Sequence, residues 1–365
     1  MNITAVKTGK TYKGTANNDI ISIPTSAGKN ITVKAGSGKD RITVKGGRDI
    51  VIDAGKGNDT IVVSAGVLKS VNLVSGTNKL TVSGGTVKKI VGGTGNDTIV
   101  VSKQKNLNIS AGNGVNNITV TGINDSYYVS EVSKGKIVTG SGADTIIIKK
   151  GGFYKINTGS GKDTVKIYGG SHIVKTGASN DIITINSNRS NVVDAGSGND
   201  TMTLKGYTSY NKIVGGSGND TFNINNTGLN LFEGGTGNDT YKVSSLYAET
   251  VIDNSSAGKN DKDVVKIKGS IDSVYNLAYD RSRDILMCNE IFIKGFKKLS
   301  SVTISDGRSS FTSSPGRVIN MAYSFNLGGV NTEINAYNKN LNTIANKGFT
   351  TDYLAYCAGY IGVHK

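Results

Sequence analysis

The 365-residue chain has no tryptophan, two prolines, two cysteines, two histidines and four methionines. Each shortage excludes something. Cys288 and Cys357 lie in distant segments and form at most one late bridge, not a disulfide framework. With only His172 and His364 there is no H-E-x-x-H, which excludes a zincin protease, and no G-x-S-x-G elbow occurs, which counts against a lipase. No apolar run approaches the ~20 residues of a membrane span. The first residues, MNITAVKTGKTYKGTANND, lack the apolar core of a cleaved signal peptide. Acid is scarce too: 27 Asp and Glu stand against 42 Lys and Arg, a formal net charge of +15.

What the chain does have is glycine, 49 residues of it, with abundant Ile, Val and Thr. That mixture suits many short strands joined by glycine turns and does not suit helices. The stretch VGGTGNDTIVV, ending at Val101, recurs as close copies near Asp59, Asp200, Asp220 and Asp239. Asp40, Asp59, Asn78, Asp97 and Asn116 are spaced by 19 residues, the register jumps 28 to Asp144, and it resumes through Asp163, Asp181, Asp200, Asp220 and Asp239. Asp19 begins the series. Self-similarity at this period marks a solenoid.

Each repeat reads as two strands and two turns. After the aspartate, inward positions alternate with polar outward ones, as in Ile42/Val44, Ile61/Val63, Ile99/Val101, Ile146/Ile148, Phe222/Ile224 and Tyr241/Val243. The second strand has one dependable apolar site, held by Ile52, Ile90, Ile109, Ile156, Val174, Val193, Ile213 and Phe232. Asn191, Asn211 and Asn230 predict a short internal amide ladder, and His172, at the same position, predicts a packing role. The fold class is therefore all-β: a parallel β-roll or β-solenoid whose coils stack ~4.8 Å apart.

Stacking places the aspartates in one column, where like charges repel unless cations lie between them. Glycines two and four residues earlier allow turns that aim carbonyls inward. They are Gly36 and Gly38, Gly55 and Gly57, Gly93 and Gly95, Gly140 and Gly142, Gly159 and Gly161, Gly177, Gly196 and Gly198, Gly216 and Gly218, and Gly235 and Gly237. Ca²⁺ takes six to eight oxygens, from carboxylates and carbonyls, so such a column is a cation rail. TGSGKDT, ending at Thr164, is no phosphate loop: an aspartate follows the lysine and a strand follows the loop.

GGTGNDTIV, GGSGNDTFN and GGTGNDTYK resemble the G-G-x-G-x-D-x-U-x nonapeptide of RTX (haemolysin-type) calcium-binding repeats. The resemblance covers about residues 13–243. It implies several bound Ca²⁺ ions with side-chain ligands Asp19, Asp40, Asp59, Asp97, Asp144, Asp163, Asp181, Asp200, Asp220 and Asp239. It also implies export by a type I secretion system without N-terminal cleavage, and an extracellular or cell-surface location. The chain departs from the family in being basic and in having the motif on one edge only.

The expected organisation is a roll over 1–244, a capping β segment over 245–312 with antiparallel strands, and a polar tail over 313–365 that carries the secretion signal. The expected function is a secreted, non-enzymatic calcium-binding repeat protein with a surface, matrix or adhesive role. An ice-binding or glycan-binding module and a polysaccharide-acting enzyme are the alternatives. The scattered lysines read as solvated strand faces or as a surface for an anionic glycan or lipopolysaccharide. No specific nucleic-acid partner is expected, since basic and aromatic residues do not interleave. Ions are expected between coils that both carry acid, as at Asp40/Asp59 and from Asp144 to Asp239. Weak or empty sites, and the first fraying, are expected at Asn78 and Asn116, where the insertion before Ser141 should also break the stacking register.

Overall fold

The computed structural model describes residues 1–123, 133–207, 210–228, 230–248, 250–269, 277–280, 284–306, 310–313 and 315. Apart from residues 313 and 315, the polar tail lies outside them, Cys357 with it, as does the expected secretion signal. The chain forms two compact units, one of residues 1–125 and 130–182 and the other of 126–129 and 183–365.

The first unit is a two-sheeted parallel solenoid. One sheet stacks Ile20–Ile23, Arg41–Val44, Thr60–Val63, Lys79–Val82, Thr98–Ser102, Asn117–Thr121, Thr145–Lys150 and Thr164–Ile167 in register. Its inward row runs Ile21, Ile42, Ile61, Leu80, Ile99, Ile118, Ile146 and Val165. The facing sheet carries Val33, Ile52, Val71, Ile90, Ile109, Ile137, Ile156 and Val174 in a second row. All of these side chains are buried. Burying one Ile or Val side chain stabilises by roughly 1.5–3 kcal/mol, and each coil contributes to both rows. β-branched residues suit these rows because their stiff χ1 packs well on a pleated surface.

The 28-residue step does not break the stack. Asn117 pairs with Thr145 and Asn106 with Lys134, with local register shifts at Val120/Thr121 and Ser110/Gly112. The extra residues fall in sequence between Asn117–Thr121 and Lys134–Thr139, and the parallel pairing of both sheets continues across the step.

The second unit repeats the plan. Met202, Phe222, Tyr241, Val265 and Val302 form one inward row and Val193, Ile213, Phe232, Ile252 and Ile293 the other. The parallel pairing thus runs on past residue 244 to Ser301–Ser305. Antiparallel strands then cover the open edges: Ser310–Ser313 on one sheet, Ile285–Cys288 and Leu277–Asp280 on the other. Uncovered edges would template further strand addition. The Cys288 thiol is free and buried, and burial pushes its pKa up to about 11. Among the described residues no helix is long and apolar enough to cross a membrane.

Candidate metal centre

The aspartates of each unit form a buried column, each side chain at most 1% exposed. One carboxylate oxygen of each has a structural task. Asp40 Oδ1 accepts the backbone N–H of Asp19 at 2.7 Å, Asp59 Oδ1 that of Asp40 at 2.8 Å, and the ladder continues through Asn78, Asp97, Asn116, Asp144 and Asp163 to Asp181. In the second unit Asp220 Oδ1 accepts from Asp200 at 2.8 Å and Asp239 Oδ1 from Asp220 at 2.9 Å.

The other oxygen is different. Oδ2 of Asp40, Asp59, Asp97, Asp144, Asp163, Asp220 and Asp239 is buried with no hydrogen-bond partner. It faces other oxygens. A Cβ built on Gly92 would lie 2.8 Å from Asp97 Oδ2 and collide with the carbonyl of Ala111 in the next coil. At Gly215 the same spot meets Asp220 Oδ2 and, at 2.7 Å, the Gly234 carbonyl. At Gly234 it meets Asp239 Oδ2 and the Tyr241 phenol oxygen, which is buried without a partner. An unpaired buried carboxylate is costly, and the pKa values register that cost. Desolvation pushes Asp59 and Asp97 up to about 6 and Asp220 and Asp239 up to about 7, and it raises Asp40, Asp144 and Asp163 in the same direction.

The two asparagine coils show what surrounds that oxygen. Asn78 Nδ2 donates to the carbonyls of Leu73 and Gly76, at 3.4 and 3.3 Å. Asn116 Nδ2 donates to those of Gly112 and Gly114, at 3.2 and 3.0 Å. The second side-chain atom therefore points into its own coil's loop, against that loop's carbonyls. Where the residue is Asn, a donor meets acceptors. At Asp97 and Asp220 the same oxygen meets a carbonyl, acceptor against acceptor, which a cation or a proton reconciles; at Asp239 it meets the Tyr241 phenol, which has a proton to donate. Carbonyls of the next coil also lie against these oxygens, Ala111 near Asp97 and Gly234 near Asp220, so the pocket draws on two neighbouring coils. Among the described residues no three carboxylate, imidazole or thiol side chains converge, so the further ligands of any such cation are backbone carbonyls.

The turn glycines expected to take left-handed conformations do so, from Gly55 at φ 88° to Gly198 at φ 132°, with Gly140 the exception. Thr139 pairs with Gly112 across the register shift, so this loop starts differently and only Gly142 turns. Two positions make the turn without glycine: Val74 at φ 67° and Ser179 at φ 88°.

Asp19 has different contacts from the other column aspartates. Its Oδ1 accepts from the Met1 ammonium at 2.5 Å and its Oδ2 from the Thr15 N–H at 2.6 Å. The ammonium contact leads in holding its carboxyl below the usual range, so both oxygens are already engaged.

The sequence pattern missed Asp263. Its Oδ1 accepts the Asp239 N–H at 2.6 Å, and its buried Oδ2 has no partner. The step of 24 residues hides it, although NDKDVVKIK keeps the asparagine, aspartate and alternation. Asp261 takes the usual glycine place and accepts from the N–H groups of Gly237 and Gly258.

Outside the column lies an exposed ladder of opposite direction. Asn199 Oδ1 accepts from Asn219 N–H at 2.7 Å, Asn219 from Asn238 at 2.7 Å, and Asn238 from Lys262 at 2.8 Å. Asn18, Asn58 and Asn96 do the same in the first unit. The inner amide ladder is present, with Asn211 Oδ1 accepting from Asn191 N–H and Asn230 Oδ1 from Asn211 N–H. His172 packs flat on Tyr154 with ring centroids 5.5 Å apart, accepts the Tyr154 N–H at Nδ1 and contacts the Gly169 carbonyl through Nε2. Burial holds its pKa down at about 4, so the ring is neutral near pH 7.

No protein-family model matches the sequence, and no curated protein matches it. Among solved structures, the fold is similar to a hyperactive, Ca²⁺-dependent, β-helical antifreeze protein from an Antarctic bacterium. Identity is 19%, the match covers 86% of this chain and 95% of that one, and the TM-score is 0.51. The chain is an all-β parallel β-solenoid, and that likeness is one of fold.

Proposed function

We propose that this chain is a secreted, non-enzymatic calcium-binding β-solenoid, with a surface, matrix or adhesive role, that completes its fold on meeting calcium outside the cell. The observation that carries the reading is the row of buried carboxylate oxygens aimed at loop carbonyls. Oxygen-only donors in an irregular set suit Ca²⁺, which accepts six to eight oxygens, better than Mg²⁺, which keeps its waters. Calcium bound there supplies positive charge where carboxylate and carbonyl oxygens converge. Asp40, Asp59, Asp97, Asp144, Asp163, Asp181, Asp200, Asp220, Asp239 and Asp263 are the side chains that would hold it. The calcium dependence of the β-helical neighbour agrees with this reading. Type I secretion follows from the RTX resemblance alone.

The test is a calcium titration followed by circular dichroism and isothermal calorimetry, with localisation of the native protein in culture. Strand signal that grows with calcium, saturable heat and an extracellular protein are expected. A fully folded protein in excess chelator with no calcium heat would overturn it.

A second reading has one observation in its favour. In the second unit the exposed loop positions Ser197/Asn199, Ser217/Asn219 and Thr236/Asn238 repeat without interruption, and the ladder fixes the asparagines. Such a flat hydroxyl and amide lattice suits ice. In the first unit Lys39, Lys56, Val115, Ala143 and Lys162 interrupt the rows. Thermal hysteresis at calcium saturation tests this reading.

A further inference from the structure

We propose that Asn78 and Asn116 are metal-independent rungs whose side-chain amides take the place a calcium ion takes in the aspartate coils. Each keeps the ladder task of the column, because Asn78 Oδ1 accepts the Asp59 N–H at 2.9 Å and Asn116 Oδ1 accepts the Asp97 N–H at 3.1 Å. Each turns its Nδ2 onto two carbonyls of its own loop. Both are as buried as the aspartates, at 1% and 0% exposure. The coils are otherwise alike: Asn78 and Asn116 are followed by strands in the same register as those after Asp59 and Asp97. Changing one atom from oxygen to N–H thus changes a loop that needs a cation into one that does not.

Two consequences follow. Segments 73–82 and 111–120 keep their loops without calcium and hold the middle of the first unit, the reverse of the fraying expected from neutral residues. Each asparagine is also a latent site: as aspartate it would present the oxygen that its loop carbonyls lack. This rests on the calcium reading above, and the wild-type measurement separates the two. Calorimetry gives the number of ions bound by the full chain and by Asn78→Asp and Asn116→Asp. One additional ion per substitution is expected. A wild-type chain that binds no calcium would remove the calcium reading itself, whereas wild-type binding with an unchanged count in both variants would overturn the rung assignment alone. Hydrogen exchange on the wild-type chain in chelator needs no variant to fold. Peptides spanning 73–82 and 111–120 should exchange at least tenfold more slowly than those spanning 215–224 and 234–243. Equal or faster exchange would overturn the proposal.

A separate observation concerns the outer face of one sheet in the first unit. Lys89, Lys134, Lys136, Lys155 and Lys175 are exposed on four of five adjacent strands, with Asn108 between Lys89 and Lys136, alternating with buried residues such as Ile90, Ile137, Ile156 and Val174. Lys136 and Lys155 are direct register partners, an arrangement that like charges disfavour. The strands Lys89–Thr94, Asn106–Asn113, Lys134–Thr139, Phe153–Asn157 and Ile173–Ala178 contain no acidic residue. Over residues 60–180 the acids are Asp97, Asp144 and Asp163, all in the column, and Asp125 and Glu131, which lie outside the described residues. Over this stretch the described carboxylates are sequestered in the column and lysine is presented.

We infer that this strand face binds a linear carboxylated or sulfated polysaccharide. The stripe crosses five strands, about 19 Å at 4.8 Å per strand. It uses compact ammonium charges without the arginine forks that favour phosphate, and its one aromatic side chain, Phe153, is half-buried beside Lys134. This names a ligand class for the adhesive role proposed above and stands on binding, not on localisation. The probe is a heparin-derived oligosaccharide, titrated at saturating calcium into the full chain and into the triple variant Lys89→Gln, Lys136→Gln, Lys155→Gln. At least a tenfold loss of affinity in the variant is expected, with a weaker salt dependence. Unchanged affinity would overturn the assignment, as would tighter wild-type binding to double-stranded DNA than to the oligosaccharide.

Discussion

Asn116 accepts the backbone N–H of Asp97 at 3.1 Å through Oδ1, while its Nδ2 holds two carbonyls of its own loop. Asp97 makes the same ladder bond toward Asn78 and leaves its Oδ2 buried without a partner. Neighbouring coils thus solve one loop in two ways, and the contrast leads to several tests.

Replacing Asp59 or Asp220 by Asn should stabilise the calcium-free protein, since an amide would donate where the carboxylate oxygen has no partner. Relieving an unsatisfied buried group contributes about 1–3 kcal/mol. Thermal melts in chelator should show a higher midpoint for each variant, and calorimetry one calcium fewer.

The raised carboxyl pKa values set a pH dependence. A carboxyl at about 6 or 7 in the fold and 3.8 when unfolded means that the folded state binds more protons between those values. The contribution of these groups to calcium-free stability should therefore be fully present below about pH 4 and fall as pH rises to about 7. Each site loses about 1.4 kcal/mol for every pH step of one across that window. With calcium the slope should reverse, because the ion binds the carboxylate and competes with protons. Chemical denaturation at pH 5 and pH 8, with and without calcium, checks both signs.

Val74 adopts φ 67° with a β-branched, 40% exposed side chain. Such backbone costs of order 1–3 kcal/mol, and every aligned glycine in the column except Gly140 escapes it. Val74→Gly should raise stability by about 1 kcal/mol, less the entropy that glycine adds to the unfolded chain. A lower melting midpoint would mean that the side chain contributes packing that outweighs the strain.

His172→Phe should keep the stack on Tyr154 and strand the Tyr154 N–H, which His172 Nδ1 now accepts at 3.2 Å. A loss of about 1–3 kcal/mol is expected in chemical denaturation. His172→Asn, the residue used at Asn191 and Asn211, should recover part of it.

The strands, their inward rows and the acid column are legible in the sequence because period 2 and period 19 are both carried by side-chain type. The partition of each carboxylate into a ladder oxygen and a loop oxygen is not, since it depends on which way χ2 turns inside a stacked coil. The asparagines looked like lost ligands for the same reason: sequence shows the missing charge and not the added donor. Asp263 escaped because an insertion lengthened its step, and the continuity of the ladder across the 28-residue step shows only in the pairing of Asn117 with Thr145 and Asn106 with Lys134. Asp19 differs from the other column aspartates in its contacts with Met1 and Thr15.

Crystals grown in calcium, with anomalous data collected at long wavelength, test the central claim most directly. Ions are expected about 2.3–2.6 Å from Oδ2 of Asp59, Asp97, Asp220 and Asp239, with the loops of Asn78 and Asn116 closed on their own amides. Ions in the asparagine loops, or waters alone at those four carboxylates, would contradict it.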